Sequence, residues 1–435
     1  MIFAFDNWGG FLPNGEIQRP ITHGDPFNGL EDLPKGQDAW YGPAPPHLNE
    51  LLEMFDIEHE VMTTTQAIAT GKPFYYLLET QGPPEGWLGT KPDAKNTLFS
   101  GMSHLAIQAT QNKLCKIVLW SANEGYDPFQ FKIFEKIHEE IHNFQIDSRQ
   151  LVFVSANLNI QILYGVWRTL NNQGNVINVI PFNNEIFDDY EKIQPIVKFD
   201  EESSERDKYF LLLNRAPRIH RMAFISWLHS KLSVEKRDFL VSYPSEDLAP
   251  YKFSKNSHLS NYFKFHLHTS PEIRSKSMFA WKDLVDNHLP LVADVEEWNT
   301  NHYITSVDWL YTKTFFSVVT ESVYSENSLF LDEKTYKPIF NYHPFIIVGT
   351  PHTLRKLKEW GFKTFSPWID ESYDNEFHPG TRMEMIINEI VRLTKLPLSD
   401  WKDIYKEMVP ILKHNKKQLE IQQNKKLIDE LLRRL

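Results

Sequence analysis

The chain has 435 residues, of which 41% are hydrophobic and 14% aromatic, so it carries enough apolar side chains for packed cores and is not a disordered protein. Its net charge of -11 favours solubility and argues against non-specific nucleic-acid binding. Cys115 is the only cysteine, which excludes an intramolecular disulfide and a multi-cysteine zinc site and fits a reducing compartment.

The length predicts two domains, because a single core seldom grows beyond about 250 to 300 residues. The opening MIFAFDNWGG lacks a basic region and reaches an aspartate at position 6, which is not typical of a signal peptide. Apolar runs of about 18 residues, which would predict a membrane span, do not occur. We therefore expect a cytoplasmic protein.

Short β-rich apolar runs alternate with segments of helical period in residues 1–200, which is typical of a parallel α/β domain. The predicted strands are Ile2–Phe5, Phe74–Leu78, Lys116–Trp120, Leu151–Val154 and Val176–Ile180. The predicted helices are His47–Phe55, Phe129–Phe144 and Ile160–Leu170. Residues 10–46, rich in Gly, Pro and Asp, are predicted to form a long loop.

The polar, acidic stretch FDEESSERD, residues 199–207, is predicted to link this domain to a second α/β domain over residues 208–398. The second domain has predicted strands at Tyr209–Leu213, Phe239–Ser242, Thr314–Val319 and Phe345–Val348. Its predicted helices are Ile219–Lys231, Thr335–Phe340, Pro351–Trp360 and Arg382–Leu393. A charged helical tail, residues 399–435, is expected to be interrupted at Pro410. The expected fold is α/β, with two Rossmann-like domains facing a central cleft.

The segment SLFLDEKTYKPIFNYHPFIIVG, residues 328–349, predicts an anion site at a helix N-terminus. Asp332 can cap a short helix whose unpaired N–H groups attract anions. Lys334 and Lys337 add positive charge on one side of that helix, and Glu333 can accept hydrogen bonds from ligand hydroxyls. A ligand that contains both ribose hydroxyls and phosphate would suit this combination of groups. The alternative is that the acid only complements the helix dipole and the lysines are solvated.

Two other strand ends carry related side chains. In KYFLLLNRAPRIHR a strand leads into Asn214 and Arg215, and Arg218 and Arg221 follow near a helix start, where arginines can clamp phosphate. An exposed basic helix start is the alternative, although it would oppose the helix dipole. In TFFSVVTESVYSE a strand ends in a turn that carries Glu321. These ends are expected to meet at one edge of the sheet.

These motifs resemble the donor-binding domain of the fucosyltransferase-like glycosyltransferases, a family with the two-Rossmann-domain GT-B fold. LLLNRAPRIHR, VVTES and LDEKTYKPIFNYHPFIIVG are similar to three successive strand-end motifs of that family, and the likeness covers residues 208–370. The resemblance implies that Glu333 holds the ribose, that Lys334 and Arg215 hold the phosphates, and that Glu321 contacts the donor sugar.

The chain departs from the family pattern at three points. Asp332 stands where threonine is usual, Ser322 where asparagine is common, and Asn214–Arg215 where the family has Ser-Asn. These departures leave the donor sugar and its base open. The segment GFKTFSPWIDESYDNE, residues 361–376, also resembles uncharacterised glycosyltransferase-like proteins of large phages and viruses.

In the first domain, IVLWSANEGYDPF places Glu124 and Asp127 in a loop after a strand. Fucosyltransferase-like enzymes carry a similar Trp, Glu and Pro series, which implies that Glu124 is the general base that takes a proton from the acceptor hydroxyl. Glu124 and Glu321 are thus the candidate catalytic residues. The alternative is that Asp127 and Pro128 only begin the next helix.

Two histidine motifs are interpreted as structural. HEEIH, residues 138–142, fits the HExxH zinc pattern, but His138 and His142 lie off the apolar face and are expected at its flank or in solvent. His266 and His268 lie two apart on a possible strand without nearby acids. The chain contains no Asp-x-Asp triplet, so we expect no metal and no cofactor, with Arg and Lys neutralising the leaving diphosphate.

The leading hypothesis is a hexosyl- or pentosyltransferase that moves sugar from a nucleoside-diphosphate donor to an acceptor hydroxyl, with inversion if the resemblance extends so far. A non-catalytic nucleotide- or glycan-binding protein of the same fold is a second hypothesis. Transfer to modified DNA bases is a third, which the acidic charge disfavours unless a local basic groove exists. The expected partners are therefore a nucleotide-sugar donor and a glycan or other hydroxyl acceptor.

Overall fold

A computed structural model describes the chain over residues 1–6, 39–40, 51–80, 98–99, 102–122, 124–187, 199–214, 216–244, 256–294, 308–324, 327–422 and 425–435. The chain divides into two compact units. Unit 1 is Met1–Asn184 with Asn424–Leu435, and unit 2 is Glu185–Gln423. Arg215 lies outside the described residues, as do the predicted loop at residues 10–46, except for Ala39–Trp40, and part of the predicted helix at His47–Phe55.

Unit 1 is built on a sheet of seven described strands. They are β1 (Ile2–Phe5), β2 (Ala39–Trp40), β3 (Glu60–Thr63), β4 (Phe74–Thr80), β5 (Cys115–Ser121), β6 (Leu151–Ser155) and β7 (Asn178–Pro181). The order is β3-β1-β4-β5-β6-β7 with parallel neighbours, and β2 pairs antiparallel with the end of β4. Strand β6 is buried along its whole length, as expected for a parallel sheet covered on both faces.

Four helices follow the strands of unit 1. They are α1 (Thr64–Thr70), α2 (His104–Gln111), α3 (Ile133–Asn143) and α4 (Ile160–Leu170). Thr63 and Gln66 form a capping box at α1, and the Ser103 side chain caps α2. The amphipathic helices α3 and α4 place Phe134 and Trp167 in the core beside the sheet.

Unit 2 is built on a four-stranded parallel sheet. Its strands are β8 (Lys208–Leu213), β9 (Leu240–Ser242), β10 (Thr314–Thr320) and β11 (Phe345–Val348), in the order β11-β10-β8-β9. The chain adds β9 on one side of β8 and then returns to add β10 on the other. This reversal makes the β8/β10 boundary a topological switch point, where open parallel sheets bind ligands beyond their carboxyl ends.

The helices of unit 2 are α5 (Ile219–Leu232), α6 (Asn256–Asn261), α7 (Pro271–Asp283), α8 (Asp308–Lys313), α9 (Glu333–Phe340), α10 (Thr353–Glu359), α11 (Pro379–Leu393) and α12 (Leu398–Gln422). Helices α6 and α7 continue into π-helical turns, Tyr262–His266 and Leu284–His288. A last helix, α13 (Lys425–Arg434), belongs to unit 1. Within the described residues, no helix has the length and apolarity needed to cross a membrane.

The predicted α/β class with parallel sheets is confirmed, and the helical tail is present. Three local predictions are wrong. Helix α12 continues through Pro410, because burial of Met408 and Leu412 on either side offsets the cost of about 3 kcal/mol for an internal proline. His266 lies on a π-helical turn and not on a strand.

The third difference concerns the predicted linker at residues 199–207. Its Arg206 is buried and donates hydrogen bonds to the backbone oxygens of Tyr311 and Thr314 and, at 2.7 Å, to the hydroxyl of Tyr405. Phe199 stacks on Tyr342 with ring centroids 4.1 Å apart. The stretch is polar in sequence, yet these contacts pack it into unit 2.

Candidate functional site

The candidate site lies at the carboxyl edge of the unit 2 sheet. Asn214 follows β8 directly, Glu321 follows β10, and Gly349 follows β11. The N-termini of α5 and α9 begin after the first two of these strand ends. The hydroxyl of Thr320 donates a hydrogen bond to Asn214 Oδ1 and thereby joins the ends of β10 and β8 across the switch point.

Asp332 organises the start of α9. It is buried, and its Oδ1 accepts the N–H of Lys334 at 2.9 Å as an N-cap, as the sequence predicted. Its Oδ2 accepts the backbone N–H and the hydroxyl of Ser322 at 3.1 and 2.7 Å. One carboxylate therefore fixes both the helix start and the turn after β10.

Lys334 carries the positive charge of this helix start. Its Nζ lies 2.9 Å from Asp332 Oδ2 and 2.7 Å from Glu333 Oε1, and 28% of its side chain is exposed. Burial opposes the charged form, but the neighbouring carboxylates outweigh it and raise the pKa of Lys334. The ammonium is thus held at the surface of the site in a fixed place, next to a carboxylate that can accept hydrogen bonds.

The Glu321 side chain is fully buried behind the surface of the candidate site. Its Oε2 accepts a hydrogen bond from the Asp332 N–H at 3.1 Å, and its Oε1 accepts one from the Thr335 hydroxyl. The resemblance implied that Glu321 contacts the donor sugar, whereas this environment makes it a positioning residue that ties the end of β10 to α9. The sequence could not show this, because burial depends on the packing of α9 over the strand end.

Glu321 and Asp332 form a coupled carboxyl pair. Burial and the charge of Asp332 raise the pKa of Glu321 well above its usual range. For Asp332, burial alone would raise the pKa, but Lys334, Glu321 and Arg221 outweigh it and lower the pKa well below its usual range. A proton shared by the pair is therefore favoured on Glu321, and the negative charge is favoured on Asp332.

Arg221 lies behind the site. Only 1% of it is exposed, and its Nη atoms donate to the backbone oxygens of Ala216 at 3.2 Å and Thr320 at 2.9 Å. Both Nη atoms are thus bonded to the backbone, and contact of Arg221 with a phosphate stays a prediction. Its charge still acts on the site, since it stabilises the ionised Asp332.

Two buried donors at this edge have no acceptor within the described part of the chain. They are the side-chain amide of Asn214 and the Nε of Arg221. A buried donor without a partner costs about 1 to 3 kcal/mol. Such groups call for an explanation in a native structure, and a bound anion or other acceptor is one.

The other predicted cations lie around the same helix starts. Arg218 is exposed at the N-cap of α5, and its Nη1 donates to the backbone oxygen of Ser322 at 2.8 Å. Lys337 is half-buried in the last turn of α9. The described groups comprise four cations (Arg218, Arg221, Lys334 and Lys337) and three carboxyl groups (Glu321, Asp332 and Glu333). The edge therefore carries an excess of positive charge on an acidic protein.

His220 is a neighbour of the site that the sequence reasoning missed. It is buried, its Nε2 lies 3.0 Å from the backbone oxygen of Glu321, and it stacks on Tyr324. Burial and the charge of Arg221 lower its pKa to about 3, so it is neutral and can donate from Nε2. Its place in the first turn of α5, one residue before Arg221, was the available signal.

In unit 1, Glu124 lies three residues after β5 and is half-buried. Asp127 accepts the N–H groups of Phe129 and Gln130 at 2.9 and 3.2 Å, so it begins a turn, whereas α3 itself begins at Ile133. Glu124 therefore stays a prediction as the base.

The HEEIH histidines do not form a pair. His142 is exposed, but His138 is buried, which corrects the expected flank or solvent position. His138 Nε2 lies 3.0 Å from the Tyr164 hydroxyl, and the ring stacks on Trp167 at 4.9 Å. Burial lowers the pKa of His138 to about 4, so it is a neutral core residue between α3 and α4.

No protein-family model and no curated protein sequence matches the chain. Among solved structures, the N-terminal domain of trehalose-6-phosphate phosphatase from Candida albicans is similar over 85% of this chain and 72% of that chain. The TM-score is 0.36 and the sequence identity 10%. A likeness this weak bears on neither the activity nor the fold.

Proposed function

We propose that the protein is a glycosyltransferase that binds a nucleoside-diphosphate sugar at the carboxyl edge of the unit 2 sheet. The observation that carries this proposal is the α9 start, where Lys334, Glu333 and the positive end of the helix lie at the switch point of a parallel sheet. The proposed overall arrangement is GT-B, with two Rossmann-like domains facing a central cleft.

The residues of this edge have complementary roles in the proposed reaction. Lys334 and Arg218, with Lys337 and Arg215 beside them in sequence, would neutralise the leaving diphosphate, and Glu333 would accept hydrogen bonds from the ribose. Asp332, Glu321 and Arg221 hold these groups in place from behind. This distribution separates exposed ligand contacts from buried support.

The bond changes are those of a single displacement. The acceptor oxygen attacks the anomeric carbon as its proton passes to a carboxylate, for which Glu124 is the candidate. The bond from the anomeric carbon to the donor phosphate breaks, and the electron pair leaves with the diphosphate. Attack opposite to the leaving group inverts the anomeric centre. The expected reaction needs no metal, since cationic side chains balance the charge.

A non-catalytic nucleotide- or glycan-binding protein is the second candidate. It is favoured by the burial of Glu321, because this leaves the carboxyl edge with no catalytic acid or base among the residues assigned to it. The two candidates share the donor site and differ in turnover.

The test of the donor site is Lys334→Ala, with binding of UDP, GDP, dTDP and their sugars measured by calorimetry. We expect at least a tenfold loss of affinity, because a charge-assisted contact worth about 1.5 to 3 kcal/mol is removed and two carboxylates are left uncompensated. Lys402→Ala, at an exposed position on α12, is the control and should bind as the wild type does.

Three outcomes separate the possibilities. Binding followed by sugar transfer or slow donor hydrolysis supports the enzyme, and binding without either supports the non-catalytic protein. If no nucleoside diphosphate binds to the wild type, the glycosyltransferase and the nucleotide-binding protein are both rejected.

A further inference from the structure

A second group of ionisable side chains lies towards the other end of α5. It consists of His229 in the last turn of α5, Glu235 in the following loop, Asp283 at the end of α7 and His288 at the end of the adjoining π-helical turn. His229 follows His220 by nine residues, which is about 13 Å along the helix. The group is therefore distinct from the α9 edge.

The ligand atoms converge on one carboxylate oxygen. His229 Nε2 lies 3.0 Å and His288 Nε2 lies 3.4 Å from Asp283 Oδ2, and one ligand atom from each residue lies within 4.8 Å of the others. Zinc bonds of about 2.0 to 2.1 Å at tetrahedral angles separate neighbouring donors by about 3.3 Å. Two imidazoles and a carboxylate are also a donor set that suits zinc.

The backbone brings His288 to this place. In an α-helix, residues five apart are about 140° apart around the axis, so His288 would face away from Asp283. The π-helical turn at Leu284–His288 has wider turns and ends on a bond from the N–H of Leu289 to the oxygen of Leu284 at 2.9 Å. Single π-turns within helices frequently accompany functional sites.

A second carboxylate lies behind His229. Glu235 Oε2 is 3.2 Å from His229 Nδ1 and accepts no hydrogen bond within the described residues. His229 Nδ1 also accepts the N–H of Val234 at 3.2 Å. A metal at Nε2 would place the ring proton on Nδ1, where donation to Glu235 would replace that contact. Metal-bound histidines usually have such a carboxylate partner, which fixes the ring and raises its basicity.

Asp283 is prepared to bind a cation. The Asn287 amide occupies Oδ1 at 2.8 Å and leaves Oδ2 towards the histidines. The side chains of Asp283 and His288 are 37% and 29% exposed, which leaves a path for a metal and for water.

We propose that His229, Asp283 and His288 form a zinc site that joins α5 to α7, with water as the fourth ligand and Glu235 as the outer partner of His229. We expected no metal because the chain contains no Asp-x-Asp triplet. The three ligands lie 54 and 5 residues apart, and only the packing of α7 on α5 unites them. The inference is independent of the proposed sugar transfer.

The test uses the full chain after removal of metals with a chelator. Calorimetry with Zn²⁺ should give one site per chain, and Co²⁺ should give the intense visible absorption of a tetrahedral site. His288→Ala should weaken the affinity for Zn²⁺ at least tenfold, and Asp283→Asn should do the same. His288 is used because it is more exposed than His229, which is buried.

His142→Ala is the control, because it removes an exposed histidine from the HEEIH motif on α3. It should leave zinc binding unchanged. The proposal is overturned if the wild type binds no stoichiometric Zn²⁺, if His288→Ala binds it as tightly as the wild type, or if the loss follows His142→Ala.

Discussion

Two buried carboxyl groups with opposite pKa shifts lie at the centre of the candidate site. Burial and the charge of Asp332 raise the pKa of Glu321, whereas at Asp332 the charges of Lys334 and Arg221 outweigh burial and lower the pKa. Neither carboxyl is placed to contact a ligand directly. Their role follows from their bonds, which join the end of β10, the turn at Ser322 and the first turn of α9.

The raised pKa of Glu321 predicts a particular dependence of stability on pH. Its folded pKa lies above its unfolded value, so its contribution is present below about pH 4.5 and is lost as the pH rises towards the folded pKa. Glu321→Gln removes this titration while keeping an amide of similar shape. We expect the free energy of unfolding of the variant, relative to the wild type, to rise by up to about 1.4 kcal/mol per pH unit above pH 4.5.

Urea unfolding between pH 5 and pH 8 measures this difference. Glu407→Gln, at an exposed position on α12, should give a difference that does not change with pH. A constant difference for Glu321→Gln as well would mean that Glu321 is ionised in the folded protein.

At the scale of the element, α9 is a short helix whose position depends on one cap. Asp332 accepts two backbone N–H groups and one hydroxyl and also pairs with Lys334. Asp332→Ala should therefore lower the free energy of unfolding by more than the loss of a helix cap alone, because Lys334 and Arg221 lose their counterion. We expect the free energy of unfolding to fall by about 3 to 5 kcal/mol, as for other buried ion pairs that lose one partner.

Hydrogen exchange of the peptides covering β10 to α9 reports this loss as faster exchange. Thr63→Ala is the matched control, since Thr63 caps α1 in unit 1 without a charged partner, and it should cost only about 1 kcal/mol at that helix. Equal costs at both helices would show that the charges around Asp332 contribute nothing to α9.

Sequence patterns predicted the elements that have strong apolar character. The strands at β8, β10 and β11 are continuous apolar runs, and the strand ends identified Asn214, Glu321 and the start of α9. The strand β3 (EVMT) and the helix α1 (TTQAIAT) were missed because they are short and weakly patterned. Burial of Arg221 was also missed, because a contact with Thr320, 99 residues away, accompanies it, and burial of Glu321 was missed because it depends on the packing of α9.

At the scale of the whole molecule, the final helix belongs to unit 1 although the segments just before it in the chain belong to unit 2. The preceding α12 packs in unit 2, whereas α13 belongs to unit 1. Lys116 on β5 donates to the backbone oxygen of Leu435 at 2.7 Å, and Asn178 on β7 donates to that of Arg434 at 2.5 Å. A tail that was predicted as one appendage is thus divided between the two units.

Removal of residues 424–435 should therefore destabilise unit 1 and leave unit 2 intact. The deletion takes away the buried side chains of Ile428, Leu431 and Leu435, each worth about 1.5 to 3 kcal/mol when fully buried. Hydrogen exchange in β5 and β7 should accelerate by at least a hundredfold, whereas exchange in β10 should stay unchanged. Arg433→Ala, at an exposed position of the same helix, should alter neither. Acceleration in β10 equal to that in β5 would show that the two units unfold as one.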